Sequence, residues 1–149
     1  MRSAFVFAAL AAISLGGQTQ AATTVLGNGL AGICSQAAKA GEDNQPALEV
    51  CTMALETESM NRRDRAGTYV NRGGALVGQK RYMEALLEID KGLALGPEEP
   101  EKAYYNRALA NEGLDDIKAA YFDYRRAVEL APEWDIPKRE LLRFSVARP

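Results

Sequence analysis

Histidine is absent from the chain, and that one absence removes most designs of a catalytic site. There can be no Ser-His or Cys-His nucleophile pair and no imidazole base near neutral pH. Cysteine is scarce, limited to Cys34 and Cys51. Two thiols without histidine cannot build a structural zinc site of the common Cys/His type. An excess of one charge is missing too. The 18 basic and 20 acidic residues leave a net charge of −2, without the basic excess or stripe of a nucleic-acid binder and with no general attraction to anionic membranes. Neither EF-hand spacing nor a phosphate-cradling glycine loop occurs. The expectation is no catalytic residue, no metal and no cofactor. Carboxylate-only chemistry stays formally open. Glu84 and Glu88 stand at helical spacing, but on what should be a solvated face.

What is present fits a soluble globular chain of 149 residues with 47% hydrophobic and 26% charged residues, enough for one modest domain. Residues 1–21 have the form of a secretory leader: Arg2 at the start, an apolar run from Ala4 to Leu15, then Gly16-Gly17 and Thr19-Gln20-Ala21. The run is shorter than the ~20 residues of a membrane span, and no second run approaches that length. The expected product is an exported chain, periplasmic or secreted, with no transmembrane span after cleavage. Residues 22–60 form a first, degenerate unit and residues 61–149 the regular part.

The chain repeats itself. At an offset of 35 residues Tyr69 falls on Tyr104, Asn71-Arg72 on Asn106-Arg107, Ala75 on Ala110, Gly78 on Gly113, Ala85 on Ala120, Leu95 on Leu130 and Pro97 on Pro132. Each unit, at about residues 66–98 and 101–133, holds two stretches with helical periodicity. Helices are expected at 66–78, 81–95, 101–112 and from about 117 to 130. Gly78 and Gly113 are read as the residues that end the first helix of each unit. Asp115 or Asp116 is read as a cap, with Asp123 as a surface residue. In the flanks, 26–40 and 45–58 read as an earlier hairpin, and 137–146 as a capping helix. Leu141, Leu142 and Phe144 are its apolar content. Lys138, Arg139, Glu140 and Arg143 should face water. Trp134 is read as the anchor of this cap. Gly73 suits close helix approach; Gly74, beside it in mid-helix, has no account from sequence.

The pattern resembles the tetratricopeptide repeat (TPR) family. The second unit offers Tyr104, Arg107, Ala108, Asn111, Ala120, Tyr124, Ala127 and Pro132 at the motif positions. The first offers Tyr69, Arg72, Gly73, Leu76, Ala85, Ile89, Gly92 and Pro97. Departures are the two arginines and Asn111 at apolar positions, Gly92 for alanine, and one residue more than the family period. The resemblance implies an all-α fold, an α-α superhelix of antiparallel helical hairpins closed by the C-terminal capping helix. It also places Cys34 and Cys51 where the two helices of one repeat face each other, so an oxidising compartment would join them as a structural disulfide. Their spacing is unlike the Cys-x-x-Cys of a redox-active pair.

The family's first helices line a concave groove that takes peptides. Carried over by position, the ligand-binding candidates are Asn71, Arg72, Asn106, Arg107, Lys102 and Tyr105. An asparagine there offers both a donor and an acceptor to a peptide backbone, or serves only to satisfy groups between repeats. Arg72 and Arg107 either point into the groove or stack across the repeat interface. Lys102 matches one basic position of a carboxylate clamp, whose other positions hold Gly67, Val70 and Tyr105. The implied activity is that of a protein- or peptide-binding scaffold in the cell envelope. The alternative is a structural or assembly subunit that self-associates or packs in a larger envelope complex.

Overall fold

The computed structural model describes residues 29–40 and 44–145. The leader at residues 1–21, the start of the first expected helix and the last residue of the expected cap lie outside the described residues. Seven helices occupy the described part: α1 (Leu30–Ala40), α2 (Asn44–Thr57), α3 (Arg62–Gly78), α4 (Tyr82–Leu95), α5 (Pro100–Gly113), α6 (Ile117–Leu130) and α7 (Asp135–Ser145). Each of the first three pairs forms a hairpin. Contacts of α1 with α3 and α3 with α5 make an inner layer, while α2, α4 and α6 lie outside it. The last helix, α7, packs on α6.

The internal repeat is visible in the helices themselves. Both α4 and α6 have 14 residues, and every boundary of α6 lies 35 residues beyond that of α4. Helix α3 starts four residues before the expected 66. Its polar first turn lacks the apolar period, but Asn61 accepts a hydrogen bond from the Asp64 N–H at 2.9 Å, as an N-cap does. Asp116 caps α6 in the same way through Ala119 N–H at 3.0 Å. Pro100 opens α5 in the first turn, where its missing N–H has no intrahelical role.

Small residues set the spacing of the stack. Most of the buried apolar residues are alanines, among them Ala85, Ala103, Ala108, Ala120 and Ala127. A Cβ on Gly73 would collide with Ile89, and one on Gly92 would stand 2.6 Å from Val70 Cγ2. A Cβ on Gly74 would stand 2.9 Å from the Asn106 amide nitrogen of α5, the tip of a side chain that a small rotation would move aside. Larger side chains then fill two clusters. One is built on Val70, Leu76 and Ile89 with Ala85, Ala103 and Ala110. The other has Tyr124 at its centre, with Tyr105, Leu109, Leu141 and Phe144 around it.

Three expectations are corrected here. Gly113 is the last helical residue of α5 rather than the terminating residue beyond it, whereas α3 ends at Gly78 as expected. The left-handed turn residues are Lys80 (φ 60°) and Asp115 (φ 63°), again 35 apart. Gly113 is glycine for a different reason, since a Cβ there would land on the Tyr82 ring of α4. On α7, Leu141 and Phe144 pack inward, but Leu142 is 64% exposed because it lies one residue off their stripe. Arg143 does more than face water: its guanidinium donates to Glu112 of α5 at 2.8 Å and ties the cap to the last repeat.

Candidate functional site

The inner helices enclose an open groove of about 860 Å³. Its wall on one side is α1, through Ala31, Gly32 and Ser35. The floor is α3, through Gly67, Asn71 and Gly74. Lys102, Tyr105 and Asn106 of α5 form the far wall, and Trp134 with Ile136 closes the end. Helical geometry puts residues three and four apart on one face, so Gly67, Asn71 and Gly74 follow each other along α3. Asn71 therefore stands between two stretches of bare backbone. Asn106 takes the equivalent place on α5. Among the described residues neither asparagine amide has a hydrogen-bond partner, which leaves a donor and an acceptor on each for a ligand.

Most groove charges are already engaged. Glu58 accepts from the Ala31 N–H at 2.8 Å at the start of α1. Asp64 accepts from the Asn61 amide at 2.7 Å. Lys102 pairs with Glu99. Tyr105 stacks at an angle on Trp134, ring centroids 5.0 Å apart, and also touches Tyr124 at 5.7 Å. Burial first, then the negative charge of Glu140, raises the Tyr105 phenol above its ordinary range. Trp134 is thus both packed against the last repeat, as an anchor would be, and part of the groove lining.

Of the six residues marked from sequence, Asn71, Asn106, Lys102 and Tyr105 line the groove. Arg72 and Arg107 do not. Both turn toward the second helix of their own hairpin. The Arg72 guanidinium pairs with Glu88 and lies 5.7 Å from the Tyr69 ring centre. Arg107 grips Asp123 with two donors at 2.9 and 2.7 Å, reaches Asp90 of the preceding hairpin at 2.8 Å and lies 5.1 Å over Tyr104. Hydrogen bonding by Asp123 holds the Arg107 guanidinium above its already high ordinary value. Arg72 thus ties the two helices of its own hairpin together, and Arg107 does the same while adding a tie to the preceding hairpin.

Glu88 and Asp123, expected on the surface, are accordingly buried at 8% and 6% exposure. Asn111, which stands where the first repeat has Leu76, donates to Asp123 at 3.0 Å. The arrangement repeats as a set: Tyr69, Arg72, Glu88 and Lys91 correspond to Tyr104, Arg107, Asp123 and Arg126. Lys91 lies 5.7 Å from the Tyr69 ring and Arg126 6.0 Å from the Tyr104 ring. The signal was present in the self-comparison, where the offset of 35 also superposes Glu88 on Asp123 and Lys91 on Arg126.

Gly67 has no internal explanation. A Cβ built there meets nothing within 4 Å, while a mid-helix glycine costs on the order of 1 kcal/mol relative to alanine. Gly67→Ala is expected to raise unfolding stability by about 0.5–1 kcal/mol, measured by urea denaturation. The same methyl would project into the groove. Destabilisation would show that the position is packed after all.

The fold defines the class: an all-α superhelix of stacked antiparallel hairpins with a capping helix and a concave inner face. No protein-family profile matches the chain, and no curated protein does. Among solved structures it is similar to the TPR domain of Arabidopsis OM64, with a TM-score of 0.65 and 24% identity over 79% of this chain and 96% of that one. It is also similar to a TPR-like protein from Chlorobium tepidum, with a TM-score of 0.62 and 22% identity over 78% of this chain and 87% of that one. The architecture is therefore that of the tetratricopeptide repeat, as the motif positions suggested.

Proposed function

We propose that this chain is an exported, non-catalytic scaffold that holds a protein or peptide partner in its concave groove. The observation that carries the reading is the pair Asn71 and Asn106, repeat-equivalent and on adjacent inner helices, both with unspent amides facing an open groove. Equivalent residues at the repeat spacing suit a ligand that itself repeats, and a peptide main chain supplies one carbonyl and one N–H per residue. Trp134, Tyr105 and Ile136 add an apolar end where a ligand side chain would sit. Three of the groove's four carboxylates, Glu58, Asp64 and Glu99, are engaged with a helix start, an amide and a lysine, which supports a binding role over carboxylate chemistry. Export to the cell envelope, into a periplasm or beyond, is supported by the form of residues 1–21 and by the disulfide described below.

Pull-down from an envelope extract tests the groove. The Asn71→Ala, Asn106→Ala double variant is expected to recover at least about tenfold less partner than wild type, since two or more hydrogen bonds at ~1 kcal/mol each are lost. Equal recovery, with unchanged helicity by circular dichroism, would remove the groove asparagines from the function.

A further inference from the structure

We propose that the groove is completed only when the chain is oxidised, because the Cys34–Cys51 bond is what holds α1 against the rest of the stack. The functional consequence rests on the groove reading; the structural claim stands independently of it. The two sulfurs are joined, 17 residues apart in sequence, between α1 and α2. Helix α1 packs on both α2 and α3, but it brings few large side chains to that contact. It is 11 residues long, below the length at which an isolated helix persists in water. Alanine and glycine make up much of it, and its large apolar residues Leu30 and Ile33 are only half-buried. Cys34 is its one fully buried side chain among the residues of α1 whose burial is described. Neither core cluster contains a residue of α1. Among the described residues the remaining polar tie from α1 to another helix is the Ala31 N–H to Glu58.

This helix forms a whole wall of the groove, with Ala31, Gly32, Ser35, Ala38 and Lys39 lining it. Release of α1 therefore leaves α3, α5 and the Trp134 end in place but opens the groove on the opposite side. The chemistry is thiol–disulfide exchange. One cysteine thiolate attacks a disulfide of an oxidant and displaces one of its thiols, forming a mixed disulfide. The second cysteine then attacks the first, and the oxidant leaves as a dithiol. The two electrons pass to the oxidant, and the two cysteine protons are balanced by those on its new thiols. Once formed, the bond is shielded, because both cysteines are fully buried. Closure is thus a latch that sets on arrival in an oxidising compartment, and a chain still in a reducing one presents an incomplete groove.

Hydrogen exchange read by mass spectrometry tests this on the purified chain, oxidised, phosphine-reduced, and as the Cys34→Ala, Cys51→Ala double variant. Amides of residues 30–39 are expected to exchange about a hundredfold faster in the reduced chain and in the variant. That factor corresponds to ~3 kcal/mol of loop closure at about 1.4 kcal/mol per decade. Amides of α5 and α6 should change less than about twofold. Equal protection of α1 in all three samples would overturn the proposal. So would loss of protection in α3–α6 together with α1, since the bond would then be holding the whole domain. A groove that binds no peptide would leave every one of these exchange results unaffected, so the two failures are distinguishable.

Discussion

Replacing Arg107 by alanine is expected to destabilise the fold by about 3 kcal/mol, at the lower end of what stripping a buried ion of its partner costs. Asp123 has a side chain only 9% exposed and receives two charged hydrogen bonds from Arg107. Without them it keeps a single amide donor, from Asn111. Arg107→Ala also cuts the link to Asp90 on the preceding hairpin, so the loss falls partly on the repeat interface. The same change in the first repeat is milder. After Arg72→Ala, Glu88 retains Lys91 at 2.7 Å, and about 2 kcal/mol is expected. The Arg107→Ala, Asp123→Ala double variant should be less destabilised than the sum of the singles, by roughly 1–3 kcal/mol, because it leaves no orphaned charge. Urea unfolding followed by circular dichroism measures all four. An Arg107→Ala midpoint within error of wild type would show that the pair contributes nothing.

Tyr124→Ala should cost still more, about 4 kcal/mol, the usual loss for a buried aromatic truncated to alanine. Tyr124 is fully buried and is the largest side chain in that state. Its ring touches Tyr105 on α5 and Phe144 on α7, with centroids 5.7 and 5.9 Å away. Its hydroxyl donates to Glu112 at 2.9 Å. Against a typical domain stability of about 5–15 kcal/mol, such a loss endangers the last repeat and its cap together. Tyr124→Phe keeps the ring and removes only the hydroxyl bond, for about 1 kcal/mol, since Glu112 retains Arg143. Wild type and Tyr124→Phe also separate at high pH. Burial first, then donation to Glu112, lifts the Tyr124 phenol well above its ordinary value. The unfolded phenol ionises near pH 10 while the folded one stays protonated. Stability is therefore complete below about pH 10 and declines as pH rises beyond it. Tyr124→Phe should flatten that alkaline decline, leaving the smaller part due to Tyr105, whose phenol is raised in the same direction. An identical alkaline slope in both proteins would argue against it.

The helices were legible because two local signals agree in each unit. An apolar period of 3.6 runs through residues such as Ala120, Tyr124 and Ala127, and proline or polar caps interrupt it at Pro97, Pro100, Asp116 and Pro132. Part of the groove lining was legible too, since Asn71 and Asn106 repeat at a fixed offset. The charged residues were misread for a definite reason. A glutamate or aspartate on a helix reads as solvated unless its partner is known, and the partners of Glu88 and Asp123 lie 16 residues away on the facing helix. Gly113 was misread for a related reason: the ring that requires it, Tyr82, belongs to the neighbouring repeat.

The sequence by itself determined the helical hairpin unit, its period and the way units succeed each other, because these depend on spacing along one chain. Only the tertiary structure decided which polar residues face the groove and which bind the hairpins, and that Gly74 stands beside Asn106 while Gly67 is bare toward solvent. Those outcomes depend on what stands across from each side chain, and a neighbour that arrives from another helix leaves no mark in the local pattern.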